Sequence, residues 1–484
     1  MNPRRSQNPF TTFGLLFLCA IGFLWFAREV KNTDEIYKRL WAIEGVTGVE
    51  KLSFERTHEG CIQDKYLVTF EQPIDWENPE LGTFSQRVEI GITDKATVNL
   101  MHLDGYALQS DLLGRDYVPE LVEMYRANYI HVEHRFFGAS SPDDLSYDQT
   151  GYWEYLTSQN AAADYHSIYT RLAPLLGENW MSYGENYGGL LSNVYASLYP
   201  EDCKLYVSFA APCPDGANDK RLFDYIYTDI GTDAYGKTQA KEYRNLITQF
   251  QVDLIKNKQE LLGLYNDAID NTGMRFREHA SKEVLYDINV LEFAVKFWQY
   301  NQEFDKLEQL LTMPEDTAAN RHAKARAEFE YMISVQGPED WSPDKYTWPY
   351  YVAAAIETGE YYYDFLYLRA ALTEAGIHSG MTVTPDMEET LLWDLTFTVE
   401  QKNAFSYNGN FREQLISSLK NTDAKMLMIY GTTDPLYAVR LPNISNDNIK
   451  QYVHPELAHT INIQSFPDDT LREIKGYIDQ CISE

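Results

Sequence analysis

The chain has 484 residues, with 72 acidic and 41 basic side chains, a net charge of −31 and 44% hydrophobic residues. This hydrophobic content is typical of a globular protein that is long enough to bury a large core. The excess of acidic residues argues against nucleic acid as a partner, because duplex binding is driven by Lys and Arg that neutralise phosphates. It equally argues against docking of the main body on an anionic membrane surface.

The N-terminus carries one hydrophobic segment. Arg4 and Arg5 precede an uncharged run over residues 10–27, and a third arginine follows it. A basic leader before an apolar stretch of this length is typical of a secretory signal or a short signal-anchor. The bulky Trp25 and Phe26 lie where signal cleavage needs small residues. We therefore expect an uncleaved anchor rather than a cleaved signal, with the body of the chain outside the cytoplasm, in the periplasm or at the cell surface.

Predicted strands and helices alternate through the first half of the chain. A short helix and linker are predicted over residues 34–49, and β-strand patterns follow. Strands separated by helices of this length indicate βαβ units and a parallel sheet. The predicted strands are Tyr66–Glu71, Gln86–Thr93, Val98–His102, Tyr129–Glu133, Trp180–Tyr183 and Leu205–Ala210, and the predicted helices are Val118–Ala127, Ala161–Leu176 and Leu190–Tyr199.

The alternation stops near Pro212, and the pattern is then mostly helical and rich in Trp and Tyr up to about residue 420. Strands at Lys425–Tyr430 and Ile449–Val453 and a terminal amphipathic helix at Thr470–Cys481 follow. A parallel sheet that is interrupted by a helical insertion before its last strands is the plan of an α/β-hydrolase with a lid. The predicted helices of the insertion include Lys237–Leu262, Val284–Leu310 and Thr317–Ser334.

We therefore predict an α/β-hydrolase fold in which a mostly parallel sheet is flanked by helices and carries a large helical lid. The predicted divisions are a signal-anchor or signal peptide over residues 1–32, the first part of the hydrolase domain over 33–212, the lid over 213–420 and the last part of the hydrolase domain over 421–484.

The nucleophile of this fold stands on a sharp strand-to-helix turn with the pattern G-x-S-x-G. The frame is present in Gly184-Glu185-Asn186-Tyr187-Gly188-Gly189, directly after a predicted strand, but the nucleophile position holds Asn186. An amide cannot be deprotonated by a neighbouring imidazole to attack a carbonyl. Ser182, inside the strand, and Ser192, one turn into the helix, do not fit the geometry of the turn.

The other two members of a catalytic triad are expected later in the chain, in the order acid and then histidine. Asp434 follows a predicted strand and precedes a proline, which is where the acid belongs. His459 lies on the loop before the last helix and is better placed than His454, which stands at a strand end and reads as structural. The order Asn186, Asp434, His459 is that of a triad with only its first member replaced.

Backbone N–H groups that stabilise an oxyanion do not depend on the nucleophile side chain. We expect one from Tyr187, after the nucleophile position, and another from Gly105 or Tyr106, on the loop after a predicted strand. Another predicted strand is followed by the segment Glu133-His134-Arg135-Phe136-Phe137-Gly138. For this segment a packing role and a role at the site are equally favoured.

These motifs resemble those of the secreted tripeptidyl aminopeptidases, serine exopeptidases related to the prolyl carboxypeptidase and dipeptidyl peptidase group. The resemblance runs from about Tyr66 to the C-terminus. It is carried by FEQPIDWENPELGTFSQRV, DGYAL, EHRFFGASSP, WMSYGENYGG, FWQY, YGTTDP and the His459 loop. It implies an extracytoplasmic enzyme that removes short peptides from free N-termini, often after proline. The acid and histidine of the family carry over to Asp434 and His459, whereas its serine falls on Asn186.

Three hypotheses follow. The chain is a hydrolytically impaired homologue that still binds peptides or peptide-like ligands, an active exopeptidase with another nucleophile or a water in that role, or a surface scaffold whose Tyr-rich lid contacts a protein partner. A ligand beneath the lid is expected to meet aromatic residues, namely Trp298, Tyr300, Tyr361 and Tyr362. No metal-ligand pattern, dinucleotide-binding motif or phosphate-binding loop is evident, so no cofactor is expected.

The five cysteines do not form a metal-binding cluster. The segment from Cys203 to Cys213 reads as one strand, whose span of about 33 Å is far beyond the reach of a disulfide. The sequence leaves a Cys61–Cys481 pair open.

Overall fold

The computed structural model describes residues 34–56, 60–108, 113–142, 150–216, 219–270, 281–336, 370–376 and 397–483. The predicted N-terminal anchor lies outside these residues, as do Tyr361 and Tyr362. Within the described part of the chain, no helix combines the length and the apolar character that a membrane crossing requires.

A nine-stranded sheet lies at the centre of the molecule, in the order β1-β2-β3-β5-β4-β6-β7-β8-β9. From β5 to β9 all neighbouring strands are parallel, whereas β1, β2 and β3 pair antiparallel and β3 pairs antiparallel with β5. This arrangement confirms the predicted α/β-hydrolase fold. The strands are β1 Val46–Leu52, β2 Ile62–Pro73, β3 Thr83–Thr93, β4 Asn99–Leu103, β5 Asn128–Val132, β6 Trp180–Glu185, β7 Leu205–Phe209, β8 Met426–Gly431 and β9 Ile449–His454.

Helices cover both faces of the sheet, which explains why β5, β7 and β8 are buried along their whole length. One apolar core includes side chains of α1, α3, α4 and α12, and a second core on the other face includes side chains of α2 and α13. These helices are α1 Glu35–Trp41, α2 Glu120–Tyr125, α3 Ser158–Leu176, α4 Asn186–Leu198, α12 Phe411–Asn421 and α13 Asp468–Ser483.

The described part of the insertion between β7 and β8 is helical and has an apolar core of its own. Side chains of Leu436 and Val439, which follow β8, belong to this core, so the insertion packs on the loop after β8. The boundaries of the lid stay a prediction. The helices are α5 Arg221–Thr228, α6 Thr232–Lys256, α7 Lys258–Asp270, α8 Lys282–Lys296, α9 Phe304–Leu311, α10 Ala318–Gln336 and, beyond the gap, α11 Val399–Ala404.

Three local predictions differ from the structure. The predicted linker before residue 49 contains β1, an edge strand on which only Val49 is buried, so its pattern resembles that of a solvated loop. The single helix predicted over 284–310 is divided by a π-helical turn at Phe297–Asn301, followed by Gln302 with a positive φ. The single helix predicted over 237–262 is two helices, with α6 ending at Lys256.

The cysteines in the described part of the chain form no disulfides. Cys61 and Cys481 are both buried and neither forms a disulfide, so the disulfide that the sequence left open is absent from the described residues. Cys203 and Cys213 are also free. The segment between these two is not one strand, because β7 ends at Phe209 and Ala210 turns the chain with a φ of 46°.

A buried ion pair explains the arginine of the segment EHRFFG. Arg135 and Asp164 are both completely buried, and the guanidinium donates to both carboxylate oxygens at 2.8 and 2.9 Å. Arg135 also donates to the carbonyl oxygens of Pro73, Ile74 and Tyr155. Burial raises the pKa of Asp164 although Arg135 opposes that rise. This arginine therefore joins α3 to two loops, and its role is packing.

Candidate active site

The turn between β6 and α4 has the geometry of a nucleophile elbow. The strand ends at Glu185 and the helix begins at Asn186 without an intervening loop. Asn186 has a φ of 50°, in the left-handed region that L-residues rarely adopt. Asparagine is one of the few non-glycine residues that tolerate this region. Position 186 therefore has the backbone conformation of an elbow, and asparagine is a residue type that this conformation accepts.

Glycines are required around this turn because the backbone approaches itself closely. A Cβ at Gly184 would collide with the carbonyl oxygen of Gly188, and a Cβ at Gly188 would collide with the carbonyl oxygen of Leu103. A Cβ at Gly105 would lie 2.9 Å from the backbone nitrogen of Gly188. The elbow and the loop after β4 are thus in direct backbone contact, which is how the two expected sources of oxyanion donors come together.

The acid and the histidine of the predicted triad are hydrogen-bonded to each other. His459 Nδ1 lies 2.8 Å from Asp434 Oδ2, and only 1% of the Asp434 side chain and 11% of the His459 side chain are exposed. Asp434 Oδ1 accepts from the backbone N–H of Leu436 at 3.1 Å. With a proton on Nδ1 held by the carboxylate, Nε2 of His459 is the nitrogen that can act as a base.

The lid helps to hold this pair in place. Gln299, in the π-helical turn, donates to Asp434 Oδ1 at 3.4 Å, and Gln302 donates to Thr433 Oγ1 at 3.3 Å. The ring of Tyr300 packs edge-on against His459 with the ring centroids 5.5 Å apart. The sequence motif FWQY was noted for its aromatic residues, but it is Gln299 that reaches the acid. No sequence signal distinguished this glutamine from other polar residues of the lid.

Tyr300 is the lid residue whose ring packs against His459. About half of its surface is exposed, and the rest is buried. This burial, together with the negative charges of Asp434 and Glu185, raises the pKa of Tyr300. Glu185 immediately precedes Asn186, and the parallel pairing of β6, β7 and β8 brings the elbow and the acid–histidine pair to the same edge of the sheet.

The expected oxyanion loop is fixed by several side chains. The backbone N–H of Tyr106 donates to Asp104 Oδ1 at 2.9 Å, which leaves Gly105 as the better candidate donor on this loop. The buried carboxylate of Glu133 accepts from the backbone N–H of Leu108 at 2.9 Å. His134 packs edge-on against Tyr187, with the centroids 5.4 Å apart, and burial lowers the pKa of His134 to about 3. Residues of the segment EHRFFG thus contact both the expected oxyanion loop and Tyr187.

A buried charged network that the sequence did not reveal anchors the same loop. His131 Nε2 on β5 lies 2.9 Å from Asp104 Oδ2, and its Nδ1 lies 3.6 Å from Glu89 on β3. Glu89 pairs in turn with Lys65 on β2, and the ring of His102 on β4 stacks on His131 with the centroids 4.1 Å apart. These residues alternate with apolar ones along their strands, so in sequence they resemble the solvated face of a sheet.

The structure leaves several other candidates away from the reacting position. Ser182 and Ser192 are completely buried and hydrogen-bonded to each other at 2.8 Å, so neither replaces the missing nucleophile. Trp298 is completely buried and packs on Phe304, so the expectation that it meets a ligand is corrected to a packing role inside the lid. His454 is buried and accepts from the backbone N–H of Glu456, which is a structural role.

The arrangement contains the parts for acid–base chemistry but not for nucleophilic attack by the side chain of residue 186. A base, an orienting carboxylate and backbone donors are present, while the amide of Asn186 has no proton that His459 can remove to make a nucleophile. Among the described residues, no group of three His, Cys, Asp or Glu side chains is placed to hold a metal ion.

Comparison with known proteins identifies the group to which this architecture corresponds. Residues 29–386 match the model of the family described as PS-10 peptidase S37. A prolyl tri/tetrapeptidyl aminopeptidase of Streptomyces mobaraensis is 24% identical over 407 residues, which cover 83% of this chain and 74% of that protein. A putative serine protease of Caenorhabditis elegans, pcp-1, is 32% identical over 133 residues, 24% of each chain.

Solved structures also resemble this chain. They include a proline iminopeptidase of Mycobacterium smegmatis, with 13% identity over 86% of this chain and 98% of that one and a TM-score of 0.34. An α/β-fold hydrolase of Bacillus anthracis has 11% identity over 86% of this chain and 98% of that one, with a TM-score of 0.33. TM-scores this low carry no information on function.

The left-handed conformation of residue 186 predicts an unusual order of stabilities. We expect Asn186→Ala to lower the free energy of unfolding by about 1–2 kcal/mol, because alanine pays the full steric cost of a positive φ. Asn186→Gly should cost much less, since glycine adopts this region without strain. Denaturant unfolding of both variants measures the difference. If alanine were as stable as glycine, the elbow geometry would be contradicted.

The network around Asp104 predicts a dependence of stability on pH. Burial alone would lower the pKa of His131, but hydrogen bonds and charges from Asp104 and Glu89 outweigh it and raise the pKa to about 9. A histidine whose pKa is raised in the folded state stabilises the fold below about pH 6.5, its ordinary value, and this contribution is lost as the pH rises through about 9. His102 does not explain a loss of stability in this pH range, because burial lowers its pKa and its titration therefore falls at lower pH.

We therefore expect the titration of His131 to lower the free energy of unfolding by up to about 3 kcal/mol between pH 6.5 and pH 9. The measurement compares the wild type with His131→Gln over that range, because other groups titrate there as well. The difference between the two proteins should shrink as the pH rises. A difference that stays constant would show that His131 is not charged in the folded protein.

Proposed function

The chain belongs to peptidase family S37, and from that premise we propose that it is an extracytoplasmic serine-peptidase homologue that binds short peptides with free N-termini and is impaired as a hydrolase. The observation that carries the proposal is Asn186 in the left-handed turn after β6, in the frame where the nucleophile belongs. The family supplies the reaction class, and the S. mobaraensis relative supplies, by its name, the aminopeptidase character.

Peptide binding is supported by groups that do not depend on a nucleophile. Backbone donors near Gly105 and Tyr187 suit the carbonyl oxygen of a peptide. Tyr300 is exposed and lies beside His459, so it offers a residue of the ligand both the apolar face of its ring and a polar hydroxyl group. The exposed Glu185 and the net charge of −31 favour a ligand with a positive charge, such as the ammonium of a free N-terminus.

A second candidate, an active exopeptidase, is favoured by the intact hydrogen bond between Asp434 and His459. This geometry is what a general base requires. It does not by itself require catalysis, because Asp434 also accepts hydrogen bonds from Leu436 and Gln299 and so has a role in packing the lid on the sheet. The buried Ser182–Ser192 pair removes the two nearest serines from consideration as nucleophiles.

The experiment that tests the proposal measures thermal unfolding of the wild type with a tripeptide that has a free N-terminus. A ligand that binds only the folded state stabilises it, by about 2.7 kcal/mol when present at 100 times its dissociation constant. We expect stabilisation by the free peptide, less by its N-acetylated form, and no release of product over the incubation. Absence of stabilisation would favour the scaffold hypothesis, and release of product at ordinary enzyme rates would favour the active exopeptidase.

A single substitution tests whether only the nucleophile is missing. We expect Asn186→Ser to be labelled by a fluorophosphonate, with His459 as the base, while the wild type is not labelled. The double variant Asn186→Ser, His459→Ala should lose the label. Recovery of peptide hydrolysis is expected to be partial, because the carboxylate of Glu185 opposes a developing oxyanion. Labelling of the wild type, unchanged in Asn186→Ala, would show that another residue is the nucleophile.

A further inference from the structure

The side chain at the reacting position is itself a substrate for the remaining machinery. We propose that Asn186 is a self-modification site, at which water activated by His459 hydrolyses the side-chain amide and converts the residue to aspartate. The ligand in this reaction is part of the chain, so the proposal does not depend on whether peptides bind.

The geometry brings the amide and the base to one edge of the sheet. β6 and β8 are parallel and separated only by β7, and Asn186 and Asp434 follow directly beyond their C-terminal ends. The ring of Tyr300 packs against His459, which follows β9 on the same side of the sheet order. The left-handed φ of 50° is the elbow geometry that lifts the side chain of residue 186 above the sheet edge.

The base is prepared for a reaction with water. Asp434 holds Nδ1 of His459 at 2.8 Å, which leaves Nε2 to take a proton. The side chain of His459 is 11% exposed, so water reaches it, whereas the carboxylate behind it is 1% exposed and stays dry. A buried carboxylate stabilises the imidazolium that forms when the histidine takes the proton.

The turn also stabilises the charge that develops on the amide oxygen. The side-chain carbonyl of residue 186 lies at the start of α4, a helix of 13 residues, whose N-terminal N–H groups favour negative charge. The loop that carries Gly105 is in backbone contact with the first turn of this helix. The product fits as well as the reactant, because aspartate, like asparagine, tolerates the left-handed region and a carboxylate is favoured at a helix N-terminus.

The step balances without any further reactant. Nε2 of His459 takes a proton from water, the oxygen of that water bonds to Cγ of Asn186, and the negative charge passes to Oδ1. The C–N bond then breaks, and the leaving nitrogen takes the proton back from His459. The products are the carboxylic acid of residue 186 and ammonia, which exchange a proton to give a carboxylate and ammonium. No group is oxidised or reduced.

A competing route to the same change is distinguishable by its product. Spontaneous deamidation proceeds by attack of the next backbone nitrogen on Cγ, and the resulting cyclic imide opens to both aspartate and isoaspartate. At position 186 the next nitrogen belongs to Tyr187, which lies inside α4 with its side chain buried. Direct attack by water gives aspartate alone. Both routes take up one oxygen from the solvent, so the absence of isoaspartate is what distinguishes direct attack.

The modification would change the chemistry of the site. A carboxylate is a nucleophile of the kind that forms covalent enzyme intermediates, whereas an amide is not. His459 would then stand beside this carboxylate as the base that hydrolyses such an ester. The backbone of the elbow would keep its conformation, since the change replaces the side-chain amide by a carboxylate of nearly the same shape.

The test incubates the purified full chain in water enriched in oxygen-18 and maps the peptide that contains residue 186 by mass spectrometry. We expect time-dependent conversion to aspartate, with one heavy oxygen incorporated and no isoaspartate. The variants His459→Ala and Asp434→Asn should convert at least tenfold more slowly. Thermal unfolding of each variant establishes that it is folded.

Asn408 is the matched internal control. It is exposed and is followed by Gly409, so it deamidates through the cyclic imide and gives isoaspartate at the same rate in the wild type and in both variants. If Asn186 stays an amide in the folded wild type while Asn408 converts, the proposal is overturned. It is also overturned if Asn186 yields isoaspartate, or if conversion at Asn186 is as fast without His459. The wild-type result alone decides the question if the variants fail to fold.

Discussion

The close contact of three backbone segments at the end of β6 is the constraint on which the site depends. Gly184, Gly188 and Gly105 have no room for a Cβ, so the strand, the first turn of α4 and the loop after β4 fit together only in one way. Residue 186, at the centre of this contact, has a left-handed conformation. The position of the reacting group and of the backbone donors therefore follows from packing, and the chemistry follows from the side chain that the position carries.

Buried charged residues hold the loops around the elbow, so substitution of these residues costs folding stability. Removing one partner of a buried ion pair costs about 3–5 kcal/mol, because the other charge is left buried and unpaired. Arg135 with Asp164, and His131 with Asp104, tie the loops of the site to α3 and to the sheet. Asp434 has a comparable part, since it joins the lid residue Gln299 to the strand end. The frame of a peptidase site is therefore also part of the fold's stability.

The sequence predicted the parts of this structure that have a strong local signal. Alternating strands and helices identified the parallel sheet, and the expected order of acid and then histidine pointed to Asp434 and His459, which share a hydrogen bond in the structure. The exposed strand β1 was missed because an edge strand with few buried residues lacks the alternation that marks a strand. The π-helical turn at Phe297–Asn301 was missed because its apolar spacing continues that of the helix before it.

Contacts between residues that are far apart in the sequence could not be predicted from the sequence. His131 and Asp104 are 27 positions apart, and although Asp104 begins the motif DGYAL, nothing in the sequence indicates its partner, so their pairing appears only when β4 and β5 lie side by side. The same holds for Gln299 and Asp434, separated by 135 positions. Trp298 shows the opposite error: its aromatic neighbours suggested a binding surface, but one side of the π-helical turn faces the lid interior, and Trp298 lies on that side while Tyr300 lies on the other.

The residue types that a left-handed elbow accepts limit what can replace a nucleophile there. Glycine, asparagine and aspartate pay the smallest steric cost, and of these only asparagine and aspartate offer a polar side chain to His459. An aspartate would add a third negative charge to a site that already has Asp434 and Glu185, which would favour the binding of cations. Asparagine keeps the shape without the charge. The difference between the two is therefore electrostatic rather than structural, and the state of this one side chain determines whether His459 stands beside a neutral amide or a competing anion.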